Sequence, residues 1–204
     1  MNDDRLSKHR SEIDAAILEI KTASDLVLDL RNNGGGSDAI CAYLASFYIH
    51  EPMNTYVLRY RISPETPLPH GSDGFYNPER SPANYPRQQG DILNTRIWVL
   101  MNAGCFSATD TMLNILIRNI PDRVTTIGQA NGAGIGGPTL VGHLRNTGFP
   151  LTCSTCQAYS TDGDLLEGNP VKVDYPVQWT QADVISGRDP ELEEALKLIA
   201  AAGN

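Results

Sequence analysis

The chain has 204 residues, a net charge of −8 from 16 Lys+Arg against 24 Asp+Glu, and 41% hydrophobic residues. That length fits one domain with a substantial core. The acidic balance, with no basic run, argues against a nucleic-acid or anionic-membrane partner, because both draw affinity from clustered Lys/Arg. No stretch approaches the roughly 20 apolar residues of a membrane-spanning helix. The first residues, Met1-Asn2-Asp3-Asp4-Arg5, carry no apolar signal-peptide core. Four cysteines are too sparse for a disulfide scaffold.

In chain order, Ile13, Ile17 and Ile20 recur at helical spacing and predict an amphipathic helix over 12–21. Leu26 to Leu30 reads as a buried strand closed by the tight turn Arg31-Asn32-Asn33-Gly34-Gly35-Gly36. Ser37 and Asp38 can cap a second helix over 39–49, and residues 55–61 alternate as a strand. Residues 63–90 are proline-rich and aperiodic, either a flap over a site or a tolerated surface insertion. Thr95 to Met101 is a strand, followed by Asn102-Ala103-Gly104-Cys105-Phe106-Ser107 and a helix over 108–118. A strand over 124–127, a glycine-rich loop over 128–137, and strands over 139–144 and 151–159 come next. Asp189 and Pro190 start a C-terminal helix running to about Ala201. Strand–turn–helix units dominate, so the fold class is α/β with a partly parallel sheet and flanking helices.

Two strand-to-helix junctions, 29–36 and 101–108, are where chemistry belongs, beyond the carboxyl ends of strands. Helix N-termini there present free N–H groups to an anion. Ser107 would expose its hydroxyl, and Gly35 and Gly36 allow backbone N–H groups to approach a carbonyl without Cβ interference. A nucleophile and two oxyanion donors are what acyl transfer needs. The same spacing also admits a plainer arrangement, in which Ser107 caps its helix and the glycines only make a turn.

Leu26 to Gly36 resembles the Asp-Leu-Arg-x-Asn-x-Gly-Gly motif of the tail-specific (C-terminal processing) serine peptidases, a family that includes the tricorn-like proteases. Ile97 to Asp110, with Ser107-Ala108-Thr109-Asp110, resembles their strand, turn and Ser-Ala-x-Glu segment. Asp164 to Val171 resembles the late Glu-Gly-x-Gly-Val segment, and Gly187 to Leu196 the closing Gly-x-Asp-x-x-Leu-x-x-Ala-Leu. The resemblance covers nearly the whole chain. It implies a ClpP/crotonase-like core over 1–204, cleavage of peptides or protein C-terminal tails, and no metal or organic cofactor. It also implies Ser107 as nucleophile, with Ala108 and Gly35 or Gly36 as oxyanion donors. A periplasmic or secreted location, a possible homo-oligomer and an upstream β-rich or PDZ-containing region follow from the same resemblance, so the start at Met1 reads as that of a fragment.

The processing branch uses a lysine about 25 residues after the serine, where this chain has Gly128 to Gly134 and no lysine. The tricorn-like branch uses an upstream histidine and a late glutamate. Glu167 occupies a plausible glutamate position, or else is a solvated hairpin carboxylate. His9, the lone histidine before Asp29, sits in a polar stretch and is a poor base, while His50, His70 and His143 match no position of the pattern. The runner-up is therefore an inactive peptide- or small-ligand-binding module of the same fold. A crotonase-type acyl-thioester enzyme is a third reading, disfavoured because the peptidase motifs are what the chain displays.

Other patterns carry less. Gly132 to Gly137 has the letters of a dinucleotide loop, but Pro138-Thr139-Leu140-Val141 continues as strand instead of opening a helix. Cys153 and Cys156 lack a second ligand pair for zinc. Cys105 reads as a small core filler, and Trp98 and Trp179 as core or interface aromatics.

Overall fold

The computed structural model describes residues 4–49, 53, 56–61, 75–76, 94–135, 137 and 139–203. In chain order its elements are α1 (Asp4–Ile20), β1 (Asp25–Asp29), α2 (Asp38–Ala45), β2 (Val57–Arg61) and β3 (Phe75–Tyr76). Next come β4 (Arg96–Met101), α3 (Ala108–Asn119), a short 3-10 turn (Pro121–Arg123), β5 (Val124–Gly128), β6 (Thr139–His143) and β7 (Pro150–Ser154). The chain closes with β8 (Cys156–Tyr159), β9 (Tyr175–Pro176), α4 (Gln181–Ser186) and α5 (Pro190–Ala202).

The central sheet is parallel throughout, in the order β1-β4-β5-β9. Its middle strand explains the run Ile97-Trp98-Val99-Leu100-Met101. Ile97, Val99 and Met101 join a core with Ile17 of α1, Tyr43 of α2, and Leu113 and Leu116 of α3. Trp98 and Leu100 point the other way, into a second cluster with Ile127 and Ala195 of α5. A strand buried on both faces has no polar face to alternate with. The layers are therefore α1, α2 and α3 on one side of the sheet and α5 on the other. A smaller antiparallel sheet, β3-β2-β8, rests on Leu58, Ile135, Cys156, Ala158 and Leu166. Among the described residues the hairpin β6-β7 pairs only with itself.

Most expected elements are present with shifted ends. α1 begins at Asp4, eight residues before its predicted start, and α2 stops at Ala45. Ser37 accepts the Ile40 N–H at 3.3 Å, and Asp189 accepts that of Leu192 at 3.0 Å, as their capping positions predicted. The single strand expected over 151–159 is two strands with different partners, β7 on β6 and β8 on β2. The chain breaks at Thr155, where the Ser154 hydroxyl takes the Cys156 N–H at 3.3 Å and Thr155 C=O accepts from Arg61 N–H at 2.8 Å. α4 was not expected; it rests on a capping box in which Thr180 and Asp183 satisfy each other's N–H groups. Apart from β3, residues 63–90 lie outside the described residues. Among the described residues no helix is long and apolar enough to cross a membrane.

Asp25 pins the register of β1 against β4. Its carboxylate accepts Arg96 Nε at 2.7 Å and Nη2 at 2.8 Å, and the Trp98 indole N–H at 2.8 Å. The Arg96 bonds lead in holding its pKa down to about 2 from 3.8. A depressed carboxylate contributes stability above its unfolded value and loses it as pH falls through the folded value. The melting temperature should accordingly drop between about pH 3.8 and 2. Asp25→Asn should flatten that segment of the acid limb, removing on the order of 1 kcal/mol once the partial exposure of Arg96 is discounted.

Candidate active site

Three loops meet at the carboxyl edge of β1, β4 and β5, and their polar groups fasten them together. Asn32, in the left-handed region at φ 58°, exchanges hydrogen bonds with Asn102: its N–H donates to Oδ1 at 3.0 Å, and Asn102 Nδ2 returns to Asn32 Oδ1 at 3.1 Å. Asn102 Oδ1 also accepts the Gly104 N–H at 3.0 Å. Phe106 N–H donates to Asn33 C=O at 3.1 Å, and the Cys105 thiol to Leu30 C=O at 3.0 Å. The two junctions singled out by sequence are thus one structure.

Ser107 sits at its centre with φ 59° and ψ −123°, a backbone conformation that side chains with a Cβ avoid. Such a sharp strand-to-helix turn lifts the side chain out of the helix it precedes. Ser107 heads α3 without capping it; its hydroxyl has no hydrogen-bond partner among the described residues. The plainer arrangement, a capping serine, does not hold. The Ala108 N–H, first of the helix, is likewise unpartnered among the described residues.

Gly35 packs directly on this turn. At φ +97°, a Cβ there would lie 2.6 Å from Ser107 Cβ and 2.7 Å from the Ala108 nitrogen. Its N–H donates to Asn33 Oδ1 at 3.0 Å, whereas that of Gly36 has no partner among the described residues.

The loop carrying these glycines is held from behind by Arg31. Its guanidinium reaches Asp29 through Nε (2.9 Å) and Nη2 (2.7 Å), Asp189 through Nη1 and Nη2 (2.8 Å each), and Glu191 through Nη1 (2.8 Å). Every N–H of the fork is used, which a lysine ammonium cannot reproduce. Arg31 holds the carboxyls of Asp29 and Asp189 below the ordinary range. Both ends of this link lie within motifs visible in the sequence, but no local pattern joins residues so far apart.

On the other side of β4, the glycine-rich loop after β5 supports Ser107. Gly134 C=O accepts the Ser107 N–H at 2.7 Å, and Gly134 N–H donates to Asp110 Oδ2 at 2.6 Å. Asp110 Oδ1 accepts from Asn131 Nδ2 at 2.5 Å, and Asn131 Oδ1 takes the Val171 N–H at 2.7 Å. The Phe106 ring lies against Gly132 and Gly134, where a Cβ would collide with it. This loop is packing for the serine turn, and β6 follows it as strand, as the failed dinucleotide pattern implied. Asn131 stands in the stretch where the processing branch has its lysine, with its carboxamide committed to Asp110 and Val171.

Glu167 is half-buried, not a solvated hairpin carboxylate. Oε2 accepts the Ala158 N–H at 2.7 Å, while Oε1 is buried without a partner among the described residues. The adjacent Gly168 N–H donates to Ala133 C=O at 2.8 Å, joining Glu167 to the loop that holds Ser107. His9, partly exposed on α1, is paired with Glu12 at 2.9 Å, and His143 lies on the exposed hairpin. His50 and His70 lie outside the described residues. Cys105 is buried, and burial raises its thiol pKa, as befits core filling. Cys156 is buried and Cys153 exposed on separate strands, so they do not form a site together. Trp98 lies in the core and Trp179 is partly exposed.

Gly35→Ala should cost roughly 3 kcal/mol in denaturant unfolding, from its positive φ and the collision with Ser107. Arg31→Lys, which forfeits part of the fork, should cost about 2 kcal/mol in the same measurement. Stability within about 0.5 kcal/mol of the parent would contradict either expectation.

Residues 3–177 match the sequence profile of peptidase family S41. None of the curated proteins matches the sequence. Among solved structures, a candidate peptidase from Parabacteroides merdae ATCC 43184 shares 26% identity at TM-score 0.69, over 92% of this chain and 56% of that one. Mature CPAF complexed with lactacystin gives 18% identity and TM-score 0.72, over 93% and 47% of the two chains. The tricorn protease gives 20% identity and TM-score 0.56, over 89% of this chain and 15% of that one. The chain spans about half the length of the first two. The α/β fold with its parallel four-stranded sheet is that of these neighbours. With the family's profile matched from residue 3 to residue 177, the chain belongs to peptidase family S41.

Proposed function

We propose that the chain is the core domain of a serine peptidase that cleaves peptides or protein C-terminal tails through an acyl-enzyme on Ser107. The observation that carries this reading is the Ser107 turn itself, with φ 59°, ψ −123° and a hydroxyl that caps nothing. A strained backbone is kept where function needs it.

In the proposed reaction Ser107 Oγ attacks the scissile carbonyl while its proton passes to a base. The tetrahedral oxyanion is held by the Ala108 N–H and by the facing glycine loop. Gly36 is the available donor there, because the Gly35 N–H is engaged by Asn33 unless that exposed side chain lets go. The base returns its proton to the leaving amine. Water then hydrolyses the ester, and Ser107 is regenerated.

The base is a histidine supplied from beyond the described residues, as in the tricorn-like branch, and Glu167 orients it. The buried, unpartnered Oε1 of Glu167 supports this role, since a carboxylate oxygen without a donor is rare in a folded chain. The committed carboxamide of Asn131 leaves no place for a Ser–Lys pair in the 128–134 stretch. Chemistry of this kind requires no metal or organic cofactor.

A fluorophosphonate probe should label the natural protein at Ser107, located by peptide mass spectrometry. Ser107→Ala should abolish labelling, and persistence of the signal would sink the assignment. Glu167→Gln should slow labelling about 10- to 100-fold, the scale on which a base loses its orienting partner.

A further inference from the structure

We propose that Asp110 is a positioning residue for Ser107, whose carboxylate fixes Gly134 and through it the backbone of the nucleophile. This rests on the assignment of Ser107 as nucleophile.

Asp110 lies on α3, one turn after Ser107, and is 1% exposed. Its neighbours along the helix, including Met112, Leu113, Ile115 and Leu116, are core residues, and an apolar side chain would suit such a position. Burial pushes its carboxyl above the ordinary range, against the opposing pull of the bonds from Asn131 and Gly134. The titratable groups nearby are the Cys105 thiol, which Asp110 helps to raise, and Cys41, whose Sγ donates to Ala108 C=O at 3.2 Å. Neither supplies a compensating positive charge. A group kept at that cost requires a benefit elsewhere, and among the described residues its oxygens reach Asn131 and Gly134.

Gly134 is the residue through which the benefit passes. It donates to Asp110 through its N–H and accepts the Ser107 N–H through its C=O, so both of its polar backbone groups are fixed. The Ser107 conformation persists only if its surroundings over-determine it, and the N–H is one of its few handles. Asn131 fixes the start of the same loop with the second carboxylate oxygen and ties it to Val171. Both Asp110 oxygens must accept. An asparagine would turn an NH2 toward either Gly134 N–H or Asn131 Nδ2, and one of the two bonds would open.

The test compares the natural protein with Asp110→Asn and Asp110→Glu. Its readouts are the second-order rate of fluorophosphonate modification at Ser107 across about pH 5–9, the melting temperature, and amide exchange at Ser107 and Gly134. The expected result is a loss of at least about tenfold in labelling rate for folded Asp110→Asn, with faster exchange at those two amides. Asp110→Glu, which keeps the charge, should recover most of the rate. Folded Asp110→Asn that labels within about threefold of the parent, or leaves both amides protected, overturns the inference. If the parent is not labelled at Ser107, the nucleophile assignment fails, and the exchange data alone decide whether Asp110 holds the turn. A last readout does not depend on any variant folding. In the unsubstituted protein the Gly134 amide proton should resonate well downfield, the mark of a charge-assisted bond, and an ordinary shift overturns the inference.

Discussion

Arg31 is the group on which the site's geometry depends most. It ties the end of β1 to the start of α5, residues 158 positions apart in sequence, by using its whole guanidinium fork. One cation among three carboxylates leaves an excess of negative charge in a half-buried place. The start of α5 offsets it: Asp189 is the N-cap and Glu191 lies in the first turn, where free N–H groups and the helix dipole favour anions. The balance is not complete, because Glu191 Oε1 has no partner among the described residues. What the cluster supplies in return is direction. With Arg31 immobile, the chain must leave β1 through Asn32 in the left-handed region and deliver Gly35 against the Ser107 turn.

The same logic explains why the serine follows the middle strand. β4 has β1 on one side and β5 on the other, so the loop after it is flanked on both sides by loops leaving in the same direction. Phe106 is bonded to the first loop and Ser107 to the second, at neighbouring backbone positions. An edge strand could be held from one side only. A turn that costs on the order of 1–3 kcal/mol in backbone strain needs both. The parallel sheet therefore contributes more than a platform, since its three adjacent ends are the clamp.

Much of this was legible in the chain. The period of Ile13, Ile17 and Ile20, the apolar run of β4 and the Asp189-Pro190 start each specify their element through local physics. The two junctions could be named because sites gather beyond the carboxyl ends of strands, and the motif resemblance, not the spacing alone, separated a nucleophile from a helix cap there. The rest lay in tertiary pairings. Nothing local joins Arg31 to Asp189, and Gly132 to Gly134 have a pattern shared by nucleotide loops, turns and close packing, which only the Phe106 ring distinguishes. Asp110 looked like one letter of a motif until Gly134 came within its reach. α4 has no long apolar period to reveal it, only the spacing of Thr180 and Asp183. The strand over 151–159 misled because its composition is β-favouring on both sides of Thr155, and a side-chain hydroxyl makes the break.

The two oxygens of Glu167 are differently employed. Its Oε2 completes the edge of β8, taking the Ala158 N–H that no further strand accepts. Removing the carboxylate would expose that edge, so the structure has a reason to keep it whatever the reaction. Oε1 has no such employment. A buried oxygen without a donor costs about 1–3 kcal/mol, and that cost is recovered when a donor arrives. In the proposed reaction the donor is an imidazole N–H, and the gain grows as the ring takes the Ser107 proton and becomes charged. On that proposal the oxygen would be worth most as the oxyanion forms, which is what a positioning residue for the base requires. Fixing Oε2 in the sheet edge leaves Oε1 little freedom to find another partner. In the proposed reaction the bond from Ala158 to Oε2 thus aims Oε1 at the imidazole it would orient.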